Sequence, residues 1–149
     1  MQLTDLSTAI KNTTSLTGRY ALLLEIFKGF FTHVKSQLEA SQYKHWDIEV
    51  TDLTDLNEFV IFMAGREIFF NFDIETGNAG SYLGVVTAYV LDPYFDDIPN
   101  VIALFTFDGG GIVGDLTGLE DPVNLKVDAH CLTVALNICL NAFVDAEIE

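Results

Sequence analysis

A chain of 149 residues that is 50% hydrophobic and carries a net charge of −15 has the length of one domain, able to bury roughly 70% of its unfolded surface. Its mean hydropathy of +0.32 argues against disorder, which needs high charge together with low hydrophobicity. The negative field excludes nucleic acid and anionic membrane as partners.

The charge is divided along the chain. Residues 1–44 hold five basic residues (Lys11, Arg19, Lys28, Lys35, Lys44) against Asp5, Glu25 and Glu39, whereas residues 45–149 hold nineteen acids against Arg66 and Lys126. The local balance is therefore +2 followed by −17.

In chain order, a short helix is expected from Leu3 to Lys11, broken by the polar segment Asn12-Thr13-Thr14-Ser15. A longer helix should run from Leu16 to Ala40. Its apolar positions Leu16, Tyr20, Leu23, Phe27, Phe30, Phe31, Val34 and Leu38 recur at spacings of three and four, and Glu25, Lys28, Thr32, Lys35 and Glu39 form the opposite face.

From His45 to Leu116 the period becomes two. Trp46, Ile48 and Val50 alternate with Asp47, Glu49 and Thr51. Phe59–Met63 and Ile68–Ile74 read as a hairpin through Ala64-Gly65-Arg66. Tyr82–Leu91 is a further strand ended by Asp92-Pro93. Val101–Phe107 and Ile112–Leu116 flank the turn Asp108-Gly109-Gly110-Gly111.

The last element starts at Asp121-Pro122 or with Asp128 as N-cap. From there His130, Thr133, Asn137, Asn141 and Asp145 leave one narrow polar stripe on an otherwise apolar helix. Such a helix is buried on more than one side. The expected architecture is a single α+β domain, 1–149: a two-layer sandwich of an N-terminal helix, an antiparallel meander of five to six strands and a buried C-terminal helix. A homodimer through that last helix follows from its apolar circumference, with Leu136 and Phe143 at the contact.

No membrane span is expected, since the longest nearly apolar run, Cys131 to Val144, has 14 residues, short of the roughly 20 required. The N-terminus has neither a basic start nor an apolar signal region, so no export is expected. Cys131 and Cys139 lie eight apart on one helix, roughly 12 Å between α-carbons, too far to bridge within the chain. They read as buried free thiols of a reducing cytoplasm.

The most functional pattern is on the sheet. Ile68, Phe70, Phe72 and Ile74 face the core, which leaves Glu67, Phe69, Asn71, Asp73 and Glu75 on the other side. Asp47 and Glu49 repeat that acidic face on an earlier strand. An exposed Phe69 among acids suits the anchor of a docking surface for a basic protein; the alternative role of these acids is solubility. The segment Asp92–Pro99 adds Tyr94, Phe95, Asp96 and Asp97 as a contact tip. Its three carboxylates lack the spacing, glycine and terminal glutamate of a calcium-binding EF-hand loop, so no metal is expected.

Catalytic signatures are missing from the sequence. His33, His45 and His130 lie on separate elements, and there is no CxxC, GxSxG or phosphate-loop GK[ST]. No catalytic residue and no cofactor is expected. Size, acidity and helix–sheet–helix order resemble those of toxin immunity proteins, of phage inhibitors of restriction or CRISPR effectors, and of type III secretion chaperones, although the last usually place a helix inside the sheet. The reading is a non-enzymatic binding protein that inhibits or escorts a basic partner. A nucleic-acid mimic inhibiting a host-defence nuclease, a secretion-type chaperone, and a small enzyme or small-molecule binder with a pocket between sheet and helices are the alternatives.

Overall fold

The computed structural model describes residues 1–40, 42–53, 57–77, 81–91 and 98–148. The N-terminal helix α1 runs without interruption over Leu6–Leu38, so the expected break at Asn12–Ser15 does not occur. The physical reason is local. Thr13, Thr14 and Thr17 donate their hydroxyls to the carbonyls of Ala9, Ile10 and Thr13 at 2.7–2.9 Å, which keeps these polar side chains compatible with helical backbone. The start is set by Asp5, whose carboxylate accepts from the Thr8 amide at 2.8 Å. That amide holds the Asp5 carboxyl below its ordinary range.

Seven strands follow, β1 (Glu49–Leu53), β2 (Glu58–Met63), β3 (Arg66–Thr76), β4 (Tyr82–Leu91), β5 (Pro99–Phe107), β6 (Ile112–Val113) and β7 (Val123–Asn124), and the chain ends in α2 (Asp128–Ile148). Each strand pairs antiparallel with the next, in the order β1-β2-β3-β4-β5-β6-β7. The meander is as expected, with one more strand than the upper estimate.

The β2–β3 hairpin turns on Ala64 (φ 48°) and Gly65 (φ 80°), the positive dihedrals that a two-residue type I′ connection requires. Trp46 and Asp47 do not belong to a strand. A 3-10 turn occupies Lys44–Trp46, and Asp47 follows it in the left-handed region, so the alternation expected from Trp46 begins only at Glu49. Gly84 is required by packing, because a Cβ there would come within 2.2 Å of the ring of Phe107, its register partner.

Both helices pack on one face of the sheet. Phe30, fully buried in α1, lies 5.5 Å from the ring of Phe59, 6.1 Å from Phe70 and 6.2 Å from Phe105. Phe27 stacks on Phe72 at 5.4 Å. Of the predicted inward residues of α1, Leu23, Phe27, Phe30, Val34 and Leu38 are buried and Leu16, Tyr20 and Phe31 half-buried; Ile26, not among them, is buried too, and Glu25, Lys28, Thr32, Lys35 and Glu39 are exposed.

Helix α2 starts at Asp128, one residue past the point where Val127 accepts the first turn's bond from Cys131; Asp128 is therefore inside the helix rather than its cap. His33 of α1 meets the Asp128 carboxylate at 2.6 Å. His130, which the polar stripe puts at a surface or an interface, is half-buried and accepts the Asn124 amide on Nδ1 at 3.0 Å. Cys131, Ala135, Ile138, Cys139 and Ala142 are buried within the same chain. Leu136 and Phe143, expected at a subunit contact, are partly packed against this core, and the Arg66 guanidinium lies 4.9 Å over the Phe143 ring. Among the described residues of α2, the large apolar side chains left exposed are Leu140 and Val144.

Candidate functional site

The face opposite the helices is built in rows by the strand register. Glu49, Phe62 and Glu67 make one row across β1, β2 and β3. Thr51, Val60, Phe69, Tyr89 and Val101 make the next, across five strands. Leu53, Glu58, Asn71, Thr87 and Leu104 form the third, and Asp73 with Val85, then Glu75 with Leu83, continue it. An aromatic and aliphatic band therefore lies between one acidic margin, Glu49 and Glu67, and another, Asp73 and Glu75. All four of these carboxylate residues are exposed.

A β-bulge aligns the band. The register shifts between Ala88 and Tyr89, so that Ala88 faces Ala103 while Tyr89 faces Val101. The extra residue, Ile102, restores Val101 to the face that Tyr89 occupies. Phe69 is not the free ring expected from alternation. It is half-buried and stacks on Tyr89 at 5.0 Å with planes 10° apart. The two rings form one flat platform.

Beside the platform sits Glu58, 6% exposed. Its Oε2 accepts the Tyr89 hydroxyl at 2.6 Å and the Asn71 amide at 3.4 Å. A buried carboxylate needs such donors, because an unpaired one costs several kcal/mol of lost hydration (~3–5 kcal/mol for a broken buried pair). Burial, and then the Glu58 carboxylate, raise the Tyr89 phenol well above its ordinary 10.0. Val60 and Val85 are also buried on this side, yet stand outside the main core cluster. The face thus has a small apolar centre of its own.

Burial likewise pushes the thiols of Cys131 and Cys139 up to about 12 from 9.0. Folding raises all three groups, so it favours their protonated forms. Stability is then complete below the unfolded values, 9.0 for the thiols and 10.0 for the phenol, and falls as pH rises through them. Tyr89→Phe should remove the donor to Glu58 and destabilise the fold by about 1–3 kcal/mol at neutral pH. The variant should also lose part of the decline above pH 10. Denaturant melts from pH 7 to 11 check both.

Of the residues singled out in the sequence, Glu67, Phe69, Asp73, Glu75 and Glu49 share this face. Asp47 lies at its edge, outside the strand. Tyr94, Phe95, Asp96 and Asp97 lie outside the described residues. Glu58, Val60, Phe62, Tyr89 and Leu104 were missed, although the parity of Phe59 and Ile61 already sends residues 58, 60 and 62 to the outer side.

A second feature is a pocket of about 300 Å³ between α1 and β1–β2, walled by Leu24, Phe27, Phe31 and Phe59. Its polar neighbours are engaged or exposed: Asn57 donates to the Tyr20 hydroxyl at 2.6 Å, and Lys28 and Asp52 are exposed. Among the described residues, no group of three or more His, Cys, Asp or Glu is placed to hold a metal ion, and no helix is long and apolar enough to cross a membrane. No known protein family, curated protein or solved structure matches the chain.

Proposed function

We propose that the protein is a non-enzymatic binder that inhibits or escorts a basic protein, in the manner of an immunity or inhibitor protein. The observation that carries this reading is the outer face of the sheet: a stacked Phe69–Tyr89 platform, continued by the exposed Val101, between two exposed acidic margins. Large rings supply contact area at low entropic cost, and flanking carboxylates steer a cationic surface toward them. The free, buried thiols Cys131 and Cys139 support action in a reducing cytoplasm.

The test is capture from a lysate at low and at high salt, with mass spectrometry and with a Phe69→Asp variant in parallel. A lysine- and arginine-rich protein retained by the native chain, released by salt and lost with the variant is the expected result. Equal capture by both proteins would count against this face.

A homodimer through α2 is a companion proposal, resting on Leu140 and Val144, 56% and 50% exposed. Leu140→Asp should then halve the mass measured by light scattering without unfolding the chain. A monomeric mass for the native protein at micromolar concentration would dispose of it.

A further inference from the structure

At the corner of the same face, the end of the 3-10 turn, β1 and the β2–β3 turn enclose a notch of about 300 Å³ lined by Trp46, Asp47, Glu49, Phe62, Ala64 and Gly65. That volume is at the lower end of small-ligand sites. Two of the lining residues are aromatic and open to solvent, Trp46 at 42% and Phe62 at 37%. Two are exposed acids. The register places a third, Glu67, directly beside Phe62.

Resting on the docking reading above, we propose that this notch receives one arginine side chain of the basic partner, with its guanidinium against the rings of Trp46 and Phe62 and its N–H groups on Asp47 and Glu49. The chemistry is specific. A planar cation gains from the negative face of an aromatic ring and, at the same time, donates two parallel hydrogen bonds to a carboxylate. A lysine ammonium offers only a point charge and holds its water more tightly.

The notch is shaped before any partner arrives. Tyr43 packs on Trp46 at 4.7 Å and His45 meets it edge-on at 6.0 Å, which restrains the indole. Positive φ at Asp47, Ala64 and Gly65 turns the backbone sharply on both sides of the opening. Nor does the chain fill the notch with its own cation. Arg66, the adjacent arginine, donates to the Ala142 carbonyl and covers Phe143 on the helix side. Among the described residues, neither Asp47 nor Glu49 is in an ion pair with Lys or Arg of this chain.

Trp46 is the one tryptophan in the sequence, so its emission reads the notch directly. Capped Gly-Arg-Gly peptide, titrated at constant ionic strength, should give a saturating change of Trp46 fluorescence in the millimolar range. The isosteric citrulline peptide should bind at least about tenfold more weakly, and the lysine peptide less well than arginine. Asp47→Asn with Glu49→Gln should weaken the arginine response about tenfold; both substitutions preserve shape, and Asn tolerates the left-handed backbone at 47. A linear response, or equal binding of arginine and citrulline, overturns the proposal.

Partner association separates the two readings. If the same double variant leaves the partner's dissociation rate unchanged while Asp73→Lys with Glu75→Lys slows association, the docking reading stands and the notch is overturned as an arginine receptor. If the partner ignores both variants while the peptide still binds selectively, the docking reading fails and the arginine preference of the notch stands.

Discussion

Phe30→Ala should cost about 3–5 kcal/mol of folding stability, a large part of the roughly 5–15 kcal/mol that a domain of this size has available. Phe30 is fully buried, and it is the ring at which α1 meets β2, β3 and β5 through Phe59, Phe70 and Phe105. Phe59 and Phe70 stack on one another at 4.8 Å, and Phe27 leans on both Phe30 and Phe59. Removing the central ring therefore leaves neighbours that are wedged against each other, so the cavity cannot close by simple collapse. Phe30→Leu keeps most of the volume and should lose much less, about 1–1.5 kcal/mol. Urea denaturation with native slope and shifted midpoint measures both. A Phe30→Ala protein within 1 kcal/mol of the native one would mean that α1 does not seat on this face of the sheet.

The helix–sheet–helix order and the inward faces were legible because burial imposes a period, and long elements repeat it often enough to be read. The 33 residues of α1 show this at Leu23, Phe27, Phe30, Val34 and Leu38. Where the elements are short the period has no room. Strands β6 and β7 have two residues each, and β7 was not anticipated at all. The polar run Asn12–Ser15 looked like a break because threonine hydroxyls are read as competitors of the backbone. Here Thr13 and Thr14 of the run, and Thr17 just beyond it, bond within the helix and let it continue.

The outer face was half legible for a related reason. Alternation in β3 gave Glu67, Phe69, Asp73 and Glu75 their side, since its inner residues Ile68, Phe70 and Phe72 are unmistakable. Strand β4 is apolar on both faces but for Thr87, so that one residue is the whole polar hint in Tyr82–Leu91 that Tyr89, two positions on, faces outward. The bulge at Ile102, which brings Val101 into line with Tyr89, is a property of strand pairing and has no signature in one strand. Glu58 carried the least information of all: an acid at the start of a strand reads as solvated, and only the Tyr89 hydroxyl across two strands shows that it is buried.

The face itself makes the second large forecast. Converting Glu49, Glu67, Asp73 and Glu75 to lysine reverses both acidic margins while leaving Phe69 and Tyr89 in place. Each reversal adds two charges, so the four take the chain from −15 to −7. Association with the basic partner should slow by an order of magnitude or more at low salt, because steering depends on the summed field across the approach path. At high salt the difference should shrink, since ions screen charges that are farther apart than roughly a Debye length of 10 Å or less. Dissociation should change less, as the platform still carries the apolar contact. The melting temperature should scarcely move: all four side chains are exposed, and single surface charges contribute at most about 1 kcal/mol. Stopped-flow association across a salt series, with a parallel thermal melt, reads every part of this. Rates that stay equal at all salts would sink the docking role and leave these acids as determinants of solubility. A collapse of the melt would instead mean that the four carboxylates do not stand on the outer side of their strands, against the register that pairs Glu49 with Phe62 and Asp73 with Val85.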